Sequence, residues 1–268
     1  DSLEGELLYQ PNGFRFLRGT AARNRSSAQF EVSLDLDDWG FGPNAFWDFD
    51  LTLVRTDTGG LQDLLGWSYP AHGVLSGSFH GGGKRANPEL DGLFDIIEPQ
   101  AWGWQADRAR GQITLRRGEL RIANAELRLT PPPADNGAQD SANPGLLTGN
   151  FMYRSTDRQI SFDLTGAVVP LTGIQRIQAP SLPIGGQLSF RLVGDGPLRA
   201  PKLNGTLRLV DLKLGDHVLG SFQGKLDSDG SRMALNVDSE ISTGVVHSHT
   251  EVVLGGDYPV AGQMSLKQ

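Results

Sequence analysis

Apolar and polar residues alternate along most of the chain. In the segment "QITLRRGELRIANAELRL" the apolar residues Ile113 and Leu115 fall on one face, and Leu120 and Ile122 repeat the pattern. The segments "QLSFRL", "GTLRLVDLKL", "MALNV" and "GQMSL" behave in the same way. Alternation with a period of two, bounded by Gly, Asp and Asn, is typical of half-buried strands. The pattern predicts an all-β chain of about twenty strands, each of roughly five to eight residues.

Three segments depart from this alternation. "TGGLQDLLGW", around Leu61 to Leu65, and "LTGIQRIQAP", around Ile174 to Ile177, each predict a helical turn directly before a Pro-x-x-Gly step. "TPPPADNGAQDSANPG", from Thr130 to Gly145, is rich in proline, polar and without periodicity. This composition predicts a disordered surface loop between strands.

One long stretch of the chain occurs twice. The pattern from Gly73 to Ile96 recurs without a gap from Gly186 to Leu209, and four glycines, the proline and the alternating apolar positions are retained. A shorter motif, Pro-x-x-Gly-x-Leu/Met, occurs at Pro70, Pro183 and Pro259. It opens three units, and the third is cut short, so we expect the chain to be a piece of a longer one. Stacked repeats bury an apolar face only against their neighbours, which favours an elongated sheet.

The repeats divide the chain into segments of a single elongated β domain that spans residues 1–268. We predict N-terminal strands over 1–66, a first repeat unit over 67–130, a disordered loop over 131–145, connecting strands over 146–180, a second repeat unit over 181–256 and the start of a third over 257–268.

The composition excludes several classes of protein. The chain has 35 glycines and 15 prolines, more than a helical protein tolerates. Its formal net charge of -7 argues against a nucleic-acid partner, because nucleic acids select basic surfaces. Cysteine is absent, so disulfides and zinc-thiolate sites are excluded.

The residues that could carry chemistry do not form a convincing site. "HGGGKRA", from His80 to Ala86, is not a phosphate-binding loop, because Ser78 stands at the position of the first glycine and Arg85 at that of the hydroxyl residue, and it is interpreted as a tight turn between strands. His247, His249 and Glu251 share one strand face and could bind a metal, but a solvated strand face is the favoured interpretation. We therefore predict no catalytic residues, no metal site and no cofactor, and we do not expect an enzyme.

The segment "DDWGFGPNAFWDFDL" concentrates aromatic residues. Alternation would place Trp47 and Phe49 on one face, and Phe46 and Asp48 on the other. Core filling is the favoured interpretation because aromatic residues form strands readily. A wide apolar surface for a ligand is the alternative.

These motifs together resemble a known repeat. The series Leu-x-x-Leu-Leu-Gly, Tyr-Pro-x-x-Gly-x-Leu-x-Gly, Gly-x-Gly and Asn-Pro-x-Leu-x-Gly-x-Phe is similar to the repeat of the TamB/AsmA-like proteins of the Gram-negative envelope. "GDGPLRAPKLNGTLRLVDLKL" is the most similar single stretch. The resemblance covers about Leu61 to Leu129 and Leu182 to Leu266, whereas the N-terminal sixty residues share only the strand pattern.

The resemblance implies a fold and a function. The fold is an elongated β-taco, an open U-shaped sheet whose concave face is lined with aliphatic side chains. The function is movement of phospholipid acyl chains along this groove, across the periplasm, between the inner and outer membranes. The family also implies an inner-membrane anchor, which lies outside this sequence. For some members it implies a TamA-type outer-membrane barrel as a partner and a link to outer-membrane protein assembly.

Alternation supplies the residues that would line such a groove. They are Leu75, Phe79, Leu90, Phe94, Ile96, Ile113, Leu115, Leu120 and Ile122 in the first unit, and Leu188, Leu192, Leu203, Leu207, Leu209, Leu226, Met233 and Leu235 in the second. A glycine-rich bulge would reverse the alternation and move residues to the other face.

The alternation alone does not decide whether the apolar face is open or closed. A closed core would make the protein a structural or adhesive β-solenoid whose charged exterior contacts proteins or glycans. An enzyme built on a β-helix is a third alternative, disfavoured by the missing catalytic constellation. The family resemblance implies the open form.

Overall fold

A computed structural model describes residues 2–36, 40–66, 68–101, 104–130, 144–173, 183–215, 217–241, 244–254 and 259–267. The described residues form sixteen strands, one short α-helix and one 3₁₀ turn. Strands account for 80% of the chain, which confirms the all-β prediction.

The elements follow one another as a series of hairpins. Their bounds are β1 Ser2–Gln10, β2 Gly13–Arg23, β3 Ser26–Asp35, β4 Phe46–Asp57, α1 Thr58–Leu65, β5 Ala71–Lys84, β6 Asn87–Ala101, β7 Trp104–Arg116, β8 Glu119–Leu129, β9 Leu146–Arg154, β10 Gln159–Pro170, the 3₁₀ turn Leu171–Gly173, β11 Ile184–Pro197, β12 Lys202–Leu214, β13 His217–Ser228, β14 Arg232–Ile241, β15 Gly244–Val253 and β16 Val260–Lys267.

All sixteen strands belong to one antiparallel sheet in which the spatial order equals the chain order. The strands β1 and β16 are its two edges, and the sheet does not close on itself. The open all-β sheet that the sequence resemblance implies is therefore confirmed. The helical turn expected near Leu61 is present as α1, whereas the one expected at Ile174 to Ile177 lies outside the described residues.

The chain divides into two compact units. Unit 1 comprises Asp1–Trp102, Ala106–Ala125 and Arg154–Thr156. Unit 2 comprises Gly103–Gln105, Glu126–Tyr153 and Asp157–Gln268. Most of the loop expected over 131–145 falls on residues 131–143, outside the described part of the chain.

The strands are longer than the sequence pattern predicted. The described strands contain between 8 and 15 residues, so the expectation of about twenty strands of five to eight residues is wrong. The glycine run of "HGGGKRA" shows the reason. Gly81, Gly82 and Gly83 continue β5, and the turn lies at Arg85 and Ala86, so the turn predicted in this segment is present but is not made by its glycines.

Glycines inside the strands have a packing role in the sheet. In unit 2, Phe162 of β10 lies directly opposite Gly194 of β11, and a Cβ at Gly194 would lie 2.5 Å from the phenyl Cζ atom. In unit 1, Phe79 covers Gly92 of the next strand in the same way. A glycine therefore leaves room for a large side chain of the neighbouring strand to lie flat on the sheet.

The same pairing recurs across both units. The opposed pairs are Gly19–Phe30, Phe49–Gly81 and Phe79–Gly92 in unit 1, and Phe162–Gly194, Gly166–Phe190, Leu192–Gly205 and Leu207–Gly224 in unit 2. Cross-strand packing thus explains the repeated glycines Gly81 and Gly194, and Gly92 and Gly205.

Bulges with a left-handed residue recur on alternate strands. The residues Arg55 in β4, Glu98 in β6, Val168 in β10 and Asp211 in β12 have φ values of 52°, 51°, 54° and 53°. Register shifts beside Arg55, Val168 and Asp211 mark the bulges, which bend the strands locally. Because these residues are not glycines, neighbouring groups must hold the conformation.

The repeated motif Gly-x-Leu-Ser provides these neighbouring groups. The hydroxyl of Ser76 accepts a hydrogen bond from the Arg55 N–H at 3.0 Å, and Ser189 accepts one from the Val168 N–H at 3.2 Å. At the start of the motif, Gly186 has a φ of 127°, and a Cβ there would lie 3.0 Å from the Asp211 carbonyl oxygen. The motif therefore satisfies one bulge with its serine and accommodates the next with its glycine.

The glycine packing predicts a position-specific cost of adding a methyl group within β11. Gly194→Ala should destabilise the protein by about 1–3 kcal/mol, because the Cβ overlaps Phe162 and the ring must move. Gly185→Ala is the matched control, since its nearest neighbour would be 3.6 Å away. Alanine there should be neutral or stabilising by up to about 1 kcal/mol. Urea unfolding monitored by circular dichroism measures both, and equal effects would contradict the packing account.

The bulge contact gives a second prediction. Ser189→Ala should destabilise the protein by about 1–2 kcal/mol, because the part-buried N–H of Val168 loses its acceptor. Ser161→Ala in β10 removes a hydroxyl without a side-chain hydrogen bond among the described residues, and should cost much less. The same urea titration decides between them. A Ser189→Ala protein as stable as Ser161→Ala would show that the serine does not hold the bulge.

Candidate functional site

The strand register sorts the side chains of unit 2 onto two faces. Directly opposed residues of antiparallel strands project to the same face. Leu188 lies opposite Leu209, and Phe190 opposite Leu207, whereas Ser189 lies opposite Arg208. We call the side of the sheet that carries Leu188, Phe190, Leu207 and Leu209, from β10 to β15, the apolar face of unit 2. The opposite side, which carries Ser189 and Arg208, is its polar face.

All eight residues predicted to line a groove in unit 2 share its apolar face. The register connects Leu188, Leu192, Leu203, Leu207, Leu209, Leu226, Met233 and Leu235 through directly opposed pairs and alternation in β11 to β14. The bulge at Asp211 follows the last of these residues in β12, so it does not reverse their alternation.

Unit 1 has a corresponding apolar face. Leu75 lies opposite Ile96, Gly81 lies opposite Leu90, and Phe79 and Phe94 alternate with them. The pairs Val32–Phe49 and Leu34–Trp47 extend this face to β3 and β4.

The groove residues predicted in β7 and β8 fall on the same face of unit 1. A Cβ at Gly111 would lie 2.9 Å from the Phe94 ring, which places position 111 on the apolar side. Alternation then places Ile113 and Leu115 there too. Leu120 and Ile122 alternate with Glu119 and Arg121, which share a polar depression with Asp91 and Arg116.

The aromatic cluster follows the predicted division between faces. Trp47 and Phe49 lie on the apolar face of unit 1 with their rings stacked at a centroid distance of 5.3 Å. Phe46 and Asp48 lie opposite Asp35 and Ser33 on the polar face. Trp39 lies outside the described residues.

The exposure of the apolar faces distinguishes an open sheet from a closed core. All seventeen residues predicted to line a groove are half-buried, and none is fully buried. The described apolar residues that are buried number seven: Ala45, Leu53, Ala106, Leu129, Ile160, Val169 and Leu171. A second layer packed on the sheet would bury the leucines and phenylalanines of the face completely. The described part of each unit therefore leaves its apolar face uncovered.

The apolar faces are most exposed at the two edge strands. In β1, Leu3 and Tyr9 are 67% and 75% exposed, and in β16, Val260 and Met264 are 67% and 77% exposed. An edge strand has a neighbour on one side only, so fewer side chains shield its residues.

The polar faces carry ladders of cross-strand charges. Arg116 pairs with Asp91 at 2.7 Å, and Arg191 pairs with Asp163 at 3.1 Å. Arg108 also hydrogen-bonds Asp95 and lowers the pKa of that carboxyl below its usual value. Exposed pairs of this kind contribute little to stability, so they specify register more than they stabilise the fold.

The histidines proposed as metal ligands in β15 lie on the polar face of unit 2. The Nδ1 atom of His247 lies 2.6 Å from Asp238 Oδ1, and that of His249 lies 2.6 Å from Asn236 Oδ1. Glu251 is also exposed and lies 3.3 Å from His249. This arrangement agrees with the favoured interpretation of a solvated strand face.

Several large residues of the apolar face in unit 2 were missed by the sequence analysis. Phe162, Phe190, Phe222 and Val237 are directly opposed to residues of this face. Phe190 corresponds in the repeat to Gly77, so comparison of the two copies concealed it. Its position midway between Leu188 and Leu192 is the signal that would have found it.

The helix α1 has eight residues, and no helix in the described part of the chain is long and apolar enough to cross a membrane. Comparison of the chain with protein-family models, with curated proteins and with solved structures finds no match.

Proposed function

We propose that the uncovered apolar faces bind the acyl chains of phospholipids, and that the protein moves lipid between two membranes. The observation that carries this proposal is the half-burial of all seventeen residues predicted to line a groove. Apolar faces of this extent, left uncovered in a soluble segment, mark a surface for an apolar ligand. The proposal assigns the protein no catalytic role.

The apolar surface is suited to a ligand that slides. In β11 and β12 the apolar face consists of leucine, isoleucine, phenylalanine and glycine. Each buried methylene contributes about 0.8 kcal/mol, so a sixteen-carbon chain would gain on the order of 12 kcal/mol before ordering costs. This free energy is spread along the acyl chain, so a shift of the acyl chain by one methylene breaks no single strong contact.

The cellular setting follows from the sequence resemblance alone. Similarity to the TamB/AsmA-like repeat supports a place in the periplasm of a Gram-negative bacterium, with an anchor in the inner membrane. Phospholipids would then pass between the inner and outer membranes. A TamA-type outer-membrane barrel is the protein partner that this resemblance suggests.

The competing function is that of a closed β-solenoid that contacts proteins or glycans through its charged exterior. Its core would be dry and its leucines fully buried, whereas the leucines predicted to line the groove are half-buried. Native mass spectrometry of the protein purified from the periplasm of a Gram-negative host separates the two functions. We expect phospholipid to co-purify, and consistently lipid-free protein would support the closed solenoid.

Two neighbouring substitutions in β12 test which face binds lipid. Leu207 lies opposite Phe190 and Gly224 on the apolar face, whereas Arg208 lies opposite Ser189 and Gln223 on the polar face. Leu207→Asp should lower the co-purified phospholipid roughly tenfold, because it places a carboxylate where acyl chains lie.

Arg208→Asp is the matched control, since it adds the same side chain to the other face and should retain the bound lipid. Circular dichroism verifies that both variants fold. An equal loss of lipid in the two folded variants would show that the face assignment is wrong.

A further inference from the structure

We infer that His80 and Asp48, on the polar face of unit 1, form a binding site for Zn²⁺ or a similar first-row divalent cation. Asp48 and Asp50 belong to β4, and His80 belongs to β5. The register sets Asp50 directly opposite His80, and Asp48 opposite Gly82. The register thus brings His80 next to two aspartates that precede it by 30 and 32 positions in the sequence.

The imidazole is already oriented for metal binding. His80 Nδ1 lies 2.9 Å from Asp50 Oδ1, which leaves Nε2 directed toward Asp48 Oδ2 at 4.0 Å. A zinc ion bonded to both atoms at about 2.1 Å would hold them about 3.4 Å apart in tetrahedral geometry. A small side-chain rotation closes this difference. Asp50 then has the role of the carboxylate that fixes the ring of a metal-bound histidine.

Gly82 leaves the space that this arrangement needs. A Cβ at Gly82 would lie 3.0 Å from Asp48 Oδ2, closer than ordinary contacts. The Asp48 carboxylate therefore occupies the surface above a glycine, next to the imidazole.

The patch carries more negative than positive charge. Glu31 lies directly opposite Asp50, and Asp91 lies opposite His80 on its other side. Asp91 is paired with Arg116, but among the described residues only His80 lies within ion-pair distance of Asp48 and Asp50. Like charges opposed across strands destabilise a sheet, and a divalent cation offsets that repulsion.

The site is accessible to ions and water. The side chains of Asp48, Asp50 and His80 are 45%, 66% and 59% exposed. A depression of about 530 Å³, lined in part by Thr52, Ser78 and Thr114, opens beside Asp50 and His80. Water in this depression can complete the coordination, since two protein ligands do not fill a zinc shell.

The other histidine cluster provides a control within the same protein. In the part of the chain that the structure describes, His247 has one carboxylate neighbour, Asp238, whose Oδ1 lies 2.6 Å from its Nδ1. Among the described residues, Asp48, Asp50 and His80 form the one group of three ligand atoms that all lie within 4.8 Å of one another. Specific zinc binding should thus depend on His80 and not on His247.

Isothermal titration calorimetry, with zinc chloride added to tag-free protein, tests the site. We expect one Zn²⁺ per chain, an affinity that falls at least about tenfold in His80→Gln and Asp48→Asn, and a smaller loss in Asp50→Asn. His247→Gln should bind like the wild type. Zinc should also raise the melting temperature of the wild type and leave that of His80→Gln unchanged.

Wild-type protein that binds no zinc would overturn the inference. So would a His80→Gln protein that binds zinc as tightly as His247→Gln does. Because all substituted side chains are exposed, circular dichroism should show that the variants fold like the wild type. Lipid binding does not enter this measurement, so its outcome is independent of the proposed function.

Discussion

The structure depends on one packing constraint: a large apolar side chain lies flat over a glycine of the neighbouring strand. Phe162 over Gly194, Phe190 over Gly166 and Leu207 over Gly224 are examples from adjacent strands of unit 2. Because the glycine offers no Cβ, the side chain covers backbone instead of projecting toward a second layer. The sheet thereby obtains an apolar surface that is half-buried without an opposing sheet. This constraint explains why so many glycines lie inside strands, where their conformational entropy would otherwise weaken the sheet.

The bulges maintain this surface along the chain. A residue inserted into a strand reverses the alternation unless the partner strand accommodates it. The motif Gly-x-Leu-Ser does so on both sides, since Ser76 and Ser189 accept hydrogen bonds from the preceding bulges and Gly186 accommodates the following one. The leucine between them stays on the apolar face, opposite Ile96 in one copy and Leu209 in the other. The repeated motif thus keeps its leucine on the apolar face. The polar faces carry exposed charge pairs that fit the same strand register.

Local patterns predicted the fold well, and contacts between strands were predicted poorly. The alternation of Leu207 with Arg208 was sufficient to assign faces, and "TGGLQDLLGW" was sufficient to place α1, whose N-cap Asp57 accepts a hydrogen bond from Gly60. Gly81 was assigned to a turn because glycine is equally suited to a turn and to a position under a phenylalanine ring, here that of Phe49. Asp50 and His80 were not connected, because their meeting depends on the register of β4 and β5 across the helix between them. Single-strand periodicity carries no information on such a register.

The central claim is that the apolar face is open to lipid while the protein functions in the cell. Site-specific photo-crosslinking tests it directly, with a benzophenone amino acid placed at Leu192, opposite Leu164 and Gly205 on the apolar face. The same amino acid at Thr206, opposite Arg191 and Lys225 on the polar face, is the comparison. After irradiation of living cells, mass spectrometry of the intact protein should detect a phospholipid adduct at position 192 and none at position 206. An adduct at neither position, or crosslinks from position 192 only to the protein itself, would contradict an open lipid-binding face.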